Sequence, residues 1–532
     1  MKTQDKKNKI KIPFFSFLLF LSLFLFSIGY FTTTKSLDPD FGWHLKTGEL
    51  ILERGIPRVD WYTFTMPDFP WVNHEWFTDV FIFKINSLCG FQILLLIFLA
   101  IVTLAFFISV KFSYFWCCLV PLVLGYFACL PFFGVRPQLL TAFFVVILAK
   151  ILNNFLENSN SRLIYLCPIL FLIWVNLHGG FFAGIFILFF ITTLEGLKRT
   201  AIFKKIISGK FFFGQNFQER GPRQVAVLLI VLVVSFLATL INPYGLRIYE
   251  EVFRSIGDSH LGFYILEWLP LFSTGIYIFQ ILYLCIFLGL LIPQYKKIEF
   301  NNLVLTAVFL IFALLHQRHF LIFVILTIPI FAEVLFQTKQ AITPEKLQFL
   351  FGGVKKWIFI LFLLGLTTYG LYPFLVGFDK DTSFDYPQKA LPVLMDLPLS
   401  ENLFNEYGWG GYLIWKVPER KVFIDGRMPS WRKDGRFVFE DYIKIRKAEE
   451  SFQEILDKYE IKIALLHNDK KEDTQLNNKK AETENRLSNF LKKQDWLLKA
   501  LGISLAKDLK KELINSGWQV FYEDEIAIIL RR

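Results

Sequence analysis

Apolar residues come in runs of about 17–25, separated by short polar or basic stretches, as far as about residue 376. The runs lie near 13–31, 91–111, 114–133, 137–153, 163–178, 180–196, 224–241, 274–293, 302–317, 320–337 and 356–376. A helix of that length crosses roughly 30 Å of hydrocarbon, and it satisfies its own backbone polar groups, as a lipid-facing segment must. The pattern predicts an α-helical polytopic membrane protein with about 11 transmembrane helices.

Two stretches break the pattern. The loop 32–90 is too long for a simple connector and carries two amphipathic helical segments. One runs from Trp43 to Leu52 and ends at Gly55 and Pro57; the other opens with Asn73 as N-cap and Glu75 in its first turn. Trp61, Trp71 and Trp76 suit helices lying at the headgroups, and Asp60–Thr65 is expected to be extended. From about Phe378 charged residues become common. Strand-like runs at Asn402–Phe404, Lys421–Ile424, Ile461–Leu466, Trp518–Tyr522 and Ile526–Leu530 alternate with helical patterns near Gln388–Met395, Glu440–Tyr459 and Glu482–Ile514. Glu523-Asp524-Glu525 predicts a hairpin turn, and the Lys/Glu/Asn-rich stretch Asn468–Asn485 a flexible insertion. The expected domains are therefore 1–377, membrane-embedded with the loop 32–90, and 378–532, a soluble α/β domain.

Composition agrees: 54% hydrophobic against 19% charged residues excludes an ordinary soluble protein. The net charge of +11 does not point to nucleic acid, because the basic residues gather in alternate short loops, where they orient a chain in the bilayer. Their distribution predicts a cytoplasmic N-terminus and, with an odd number of spans, an extracytoplasmic C-terminal domain. No small-residue cleavage site follows the first run, so it is expected to stay as an uncleaved helix. The six cysteines all precede residue 378 and show neither disulfide nor zinc spacing.

This topology gathers ionisable and amide residues at the outer ends of spans, and such groups at membrane depth tend to mark a pathway or a site. Asp38 and Asp40, one residue apart directly after the first run, form either a solvated loop start or a general base with a partner that holds an acceptor or a cation. His44 follows close behind. His74-Glu75 lacks the second histidine of a zinc-protease helix, since position 78 is Thr78; it is a polar helix start or part of an acceptor site. His316-Gln317-Arg318-His319 and Arg136 are candidate clamps for an anion, a fixed guanidinium matching phosphate oxygens. His178, in Asn176-Leu177-His178-Gly179-Gly180, and Glu267 complete the set. Asn405–Tyr412 is glycine-rich but lacks the lysine and serine of a phosphate loop, so a tight turn beside Trp409 and Trp415 is expected. Asp425-Gly426-Arg427 either contacts substrate or ends a strand.

The blocks Asp38-Pro39-Asp40, Trp43-His44-Leu45 with Gly48, Pro57, Asp60, Trp71 with His74-Glu75-Trp76, Arg136-Pro137-Gln138, Asn176-Leu177-His178-Gly179, Asn242-Pro243-Tyr244-Gly245, Glu267-Trp268, Asn405–Gly411 and Phe423–Arg427 resemble a subgroup of the bacterial GT-C membrane glycosyltransferases. That superfamily includes the protein O-mannosyltransferases and lipid-A aminoarabinose transferase. The resemblance implies sugar transfer from a polyprenyl-phosphate-linked donor to an envelope glycan, lipid or protein acceptor on the outer face of the cytoplasmic membrane. It implies Asp38 as general base, Asp40 as the group that positions the acceptor or a divalent cation (Mg or Mn), and arginines and histidines around the departing phosphate. Inversion at the anomeric carbon is expected if displacement is direct. The competing reading is a transport or scaffold protein of envelope polysaccharide assembly.

Overall fold

The computed structural model describes residues 2–34, 37–111, 115–207, 218–258, 260–273, 277–341, 361–371, 386–468 and 508–532. They fall into two compact units. The first comprises Met1–Ser36 and Asn73–Lys380; the second joins Leu37–Val72 to Asp381–Arg532. The long first loop is thus divided: most of it belongs with the C-terminal residues.

In the first unit every apolar run is helical over most of its described residues. Trp76–Ser109, Gln138–Glu157, Pro222–Thr239, Ile278–Lys297 and Gln317–Thr338 are long and apolar enough to cross a membrane; Ser16–Thr32, Cys117–Phe132, Arg162–Leu177, Phe181–Leu197, Phe300–Leu315 and Leu361–Leu371 are shorter apolar helices. The chain is a helical membrane protein. The Trp76–Ser109 helix breaks at Gly90 (φ 81°, ψ 168°), a conformation open to glycine alone at little cost. A polar-rich first half is thereby set off from the apolar span. Its start is two residues later than Asn73 as N-cap would give: Asn73 Oδ1 accepts from the Glu75 amide (3.1 Å), and the helix begins at Trp76. Hydroxyl pairs tie neighbouring helices, Thr103 with Tyr126 and Tyr283 with Thr327, each at 2.8 Å.

The second unit is built on a four-stranded mixed sheet, β1 (Asn402–Asn405), β2 (Ile461–His467), β3 (Gln519–Glu523) and β4 (Ala527–Arg531), in the order β1-β2-β4-β3. β1 and β2 are parallel, the other pairs antiparallel. Both central strands are buried along most of their length, which is why they appear as continuous apolar runs instead of alternating ones. The turn between β3 and β4 is the expected hairpin, with Asp524 Oδ1 accepting from the Ile526 and Ala527 amides at 2.7 Å.

Two expectations are corrected. Lys421–Ile424 is no strand of this sheet: the Val422 amide donates to Tyr62 (3.0 Å), the Phe64 amide to Val422 (3.3 Å), and the Asn405 side chain binds both the Phe423 amide and the Ile424 carbonyl. Its backbone groups are satisfied by the first loop and one amide side chain, so no neighbouring strand is needed. Glu440–Tyr459 is two helices, Val438–Arg446 and Phe452–Lys458, parted where Ala448 takes φ 47°. Most of the Glu482–Ile514 pattern and of Asn468–Asn485 lies outside the described residues; Leu509–Asn515 is helical.

The Phe41–Arg54 helix packs on the Gly410–Lys416 helix of the second unit. A Cβ on Gly42 would lie 2.1 Å from the Gly411 carbonyl, and one on Gly411 2.3 Å from the Pro39 carbonyl. Of the glycines in Asn405–Tyr412, Gly411 therefore serves this close contact, and Gly410 lies against the Ile424 carbonyl, where a Cβ would come within 2.2 Å.

Candidate functional site

The first unit collects a polar cluster around the turn between the Cys167–Leu177 and Phe181–Leu197 helices. The buried His178 ring lies with Nδ1 2.6 Å from Thr141 Oγ1 and 3.0 Å from the Gly180 amide nitrogen. A backbone amide can only donate, so Nδ1 is an acceptor and the ring proton sits on Nε2. Nε2 in turn lies 3.1 Å from Glu75 Oε1 and donates to it. The His74 ring approaches the same carboxylate oxygen at 3.7 Å. Thr141 also accepts from the Trp174 indole at 3.3 Å, and the Trp76 indole donates to Asn176 at 3.0 Å. Beside this, Asn73 Nδ2 donates to the buried Asp79 at 2.7 Å. The result is one oriented hydroxyl–imidazole–carboxylate chain, fixed by three separate helices.

A second group adjoins it. Arg136, just before the helix that carries Thr141, pairs with Glu267 at 3.4 Å. His316 Nδ1 donates to the Trp268 carbonyl at 2.6 Å, and the Arg318 guanidinium stacks 4.6 Å over the Trp268 ring. The His316 and His319 rings are 6.1 Å apart. Among the residues singled out by sequence, then, the first unit brings together His74, Glu75, Arg136, His178, Glu267, His316, Arg318 and His319. Thr141, Asn73 and Asp79 join them without having been expected. For Thr141 only its place one turn after Arg136-Pro137-Gln138 hinted at such a position.

Asp38, Asp40 and His44 belong to the second unit. Asp38 Oδ1 accepts from the Asp40 amide (2.9 Å), and Asp40 Oδ1 accepts from the Trp43 indole (2.9 Å). The two acids thus fold the chain into the start of the Phe41–Arg54 helix. The Asp40 carboxylate sits directly against Gly426, where a Cβ would lie 1.8 Å from Oδ1. His44 is 3% exposed, its ring 3.6 Å from that of Trp43.

Behind Gly426 lies a buried ion cluster. Arg427 donates to Asp60 Oδ1 at 2.8 Å and, through Nε and Nη2, to both oxygens of Asp425 at 2.8 and 2.7 Å. The Tyr62, Trp71 and Trp431 rings surround the guanidinium at 4.4–5.1 Å. Burial opposes its charge, but the fields of Asp425 and Asp60 outweigh that, and its pKa lies above the ordinary arginine value. Asp425-Gly426-Arg427 therefore neither ends a sheet strand nor stands open, and Trp71 is buried within the unit, not laid at a headgroup surface.

Among the described residues, no group of three or more His, Cys, Asp or Glu side chains gathers closely enough to hold a metal ion. The bond from Trp43 and the contact with Gly426 already occupy one oxygen of Asp40, so this carboxylate does not by itself make a cation site.

No family model matches the chain, and no curated protein matches it. Among solved structures, the chain is similar to the oligosaccharyltransferase of Archaeoglobus fulgidus. Against the enzyme tethered to an acceptor peptide the identity is 12%, over 84% of this chain and 69% of the other, with a TM-score of 0.48. Against the complex with an inhibitory peptide and a dolichol-phosphate the TM-score is 0.45 at the same identity and coverage. The apo form gives 0.48 and 12%, over 85% and 69%.

Proposed function

We propose that this protein is a GT-C-type membrane glycosyltransferase that transfers a sugar from a polyprenyl-phosphate-linked donor to an envelope glycan, lipid or protein acceptor at the outer face of the cytoplasmic membrane. The observation that carries this reading is the gathering of His74, Glu75, His178, Arg136, His316 and Arg318 at one end of a helical membrane unit. A bundle whose ends merely meet water has no need to orient an imidazole between a hydroxyl and a carboxylate there. The resemblance of the Asp38-Pro39-Asp40 and Trp43-His44 blocks to GT-C sequences adds the acid/base chemistry.

In this reading the isoprenoid tail stays in lipid, the phosphate lies at headgroup level, and Arg318, Arg136, His316 and His319 offset its charge as it departs. Asp38 takes the proton of the acceptor hydroxyl, whose oxygen attacks the anomeric carbon while the bond to phosphate breaks; direct displacement inverts that carbon. Asp40, held by Trp43, positions the acceptor.

The test is lipid-linked sugar and glycan profiling of a deletion strain complemented with Asp38→Asn or Asp40→Asn. Loss of the product with accumulation of the lipid-linked donor is expected for Asp38→Asn. Restoration of the wild-type profile by both variants would remove catalysis by the pair and leave a transport or scaffold role.

A further inference from the structure

The first unit also holds a cavity of about 220 Å³ at the far end of the same helices. From Thr141, which touches His178, to Lys150, which lines this cavity, the Gln138–Glu157 helix advances about 14 Å at 1.5 Å per residue. The cavity is therefore separate from the polar cluster described above. Lys111 and Glu157, 3.6 Å apart and 43% and 71% exposed, stand at its mouth. Their charges cancel, which leaves Lys150 as the net charge of the lining. Lys150 donates to the Val110 carbonyl at 2.9 Å, and an ammonium has three donors. Further in, the wall is apolar, with Ile187, Leu326 and Ile330 buried. Ser109, Asn153, Asn154 and Asn302 also line the cavity, but among the described lining residues the one buried side-chain polar atom with no hydrogen-bond partner is the Thr306 hydroxyl, on a side chain 4% exposed.

A buried hydroxyl without a partner is costly unless something completes it. Water alone would explain the hydroxyl but not the hydrocarbon wall, and a free anion would explain Lys150 but neither of the others. One net positive charge at the mouth, one lone donor and a hydrocarbon lining match, in that order, the phosphodiester, ester carbonyl and acyl chain of a glycerophospholipid. We propose that this cavity binds a monoanionic glycerophospholipid from the membrane leaflet at that end of the bundle, with its phosphate at Lys150, an ester oxygen at Thr306 and part of one acyl chain against Leu326 and Ile330. The site stands independently of the transferase reading.

Native mass spectrometry of the full-length protein in micelles doped with phosphatidylglycerol, phosphatidylcholine or inorganic phosphate tests it. Wild type retains phosphatidylglycerol in preference to phosphatidylcholine, and inorganic phosphate does not displace it. Lys150→Gln lowers phosphatidylglycerol occupancy about 10-fold, the effect of one charge-assisted hydrogen bond, whereas Lys150→Arg keeps it. Thr306→Val removes a hydroxyl that bonds to nothing in the protein, so it leaves the melting temperature unchanged or raised while it weakens retention. Equal retention of the two lipids, displacement by inorganic phosphate alone, or unchanged occupancy in both Lys150→Gln and Thr306→Val would overturn the proposal.

Discussion

At the scale of single residues, several buried charges among the described residues are held by opposite charges. Arg427 is the clearest case: a guanidinium 3% exposed, between two carboxylates that are 0% exposed, under three aromatic rings. Two acids against one base leave the cluster net negative, so the arginine is what keeps Asp60 and Asp425 tolerable in the interior. Arg427→Met should therefore destabilise the second unit by about 3–5 kcal/mol, since it strands two buried anions. Arg427→Lys should recover only part of this, because a lysine cannot span both oxygens of Asp425 and Asp60 together. Thermal unfolding of the full-length protein in detergent, followed by tryptophan fluorescence, reads the change through Trp71 and Trp431. Equal melting of Arg427→Met and wild type would show that the cluster contributes no net stability. Asp60 and Arg427 are 367 positions apart, and nothing in either local sequence announces the other.

Elements show where sequence pattern sufficed and where it did not. The apolar runs were legible because a lipid-facing helix must be apolar on nearly every face, which leaves a signal that no neighbour can mask. β2 and β4 were legible for a similar reason, being buried on both sides. Lys421–Ile424 has the same texture, yet its partners are Tyr62, Phe64 and the Asn405 side chain, and hydropathy carries no information on which donor will reach a given carbonyl. Likewise Asn405–Tyr412 suggested a turn, while its Gly411 proves to be a close contact with the start of the Phe41–Arg54 helix. Two of them separate these roles cleanly. A Cβ at Gly408 meets nothing within 4 Å, but at Gly411 it meets the Pro39 carbonyl at 2.3 Å. Gly411→Ala should cost about 1–3 kcal/mol through forced separation of the two helices, and Gly408→Ala should stay within about 0.5 kcal/mol of wild type. Comparative melting of the two variants checks this; equal effects would mean that the contact yields without strain. The polar cluster at His178 was legible residue by residue, from histidine and arginine at span ends, but the hydroxyl of Thr141 that fixes the imidazole was not, since threonine inside an apolar run is ordinary.

For the molecule as a whole, the decisive fact is that the second unit is discontinuous in sequence. Leu37–Val72 supplies it with the Phe41–Arg54 helix, the Asp60 carboxylate, the Tyr62 and Trp71 rings, the backbone partners of Val422, and Phe69, whose ring stacks 4.3 Å from Trp431. Asp68 clasps Lys433 and Arg436 at its surface at 2.7 and 2.9 Å. The chain leaves this unit after Val72, forms the membrane helices, and returns to it after Lys380. A fragment of residues 381–532 has the sheet strands but lacks the helix that covers Gly411 and one of the two carboxylates that bind Arg427. Burial of a charge with half its partners missing, beside an uncovered apolar face, is unfavourable on both counts. The fragment alone should accordingly give poorly dispersed amide resonances and expose apolar surface to dye, whereas the same fragment joined to residues 37–72 through a flexible linker should give dispersed resonances and a cooperative melt. Arg427→Met introduced into the joined form should lower that melt, which ties the rescue to this contact and not to added length. A well-dispersed spectrum from residues 381–532 by themselves would show that the first loop is an accessory to a domain that already folds, and that the split in the sequence carries no structural necessity.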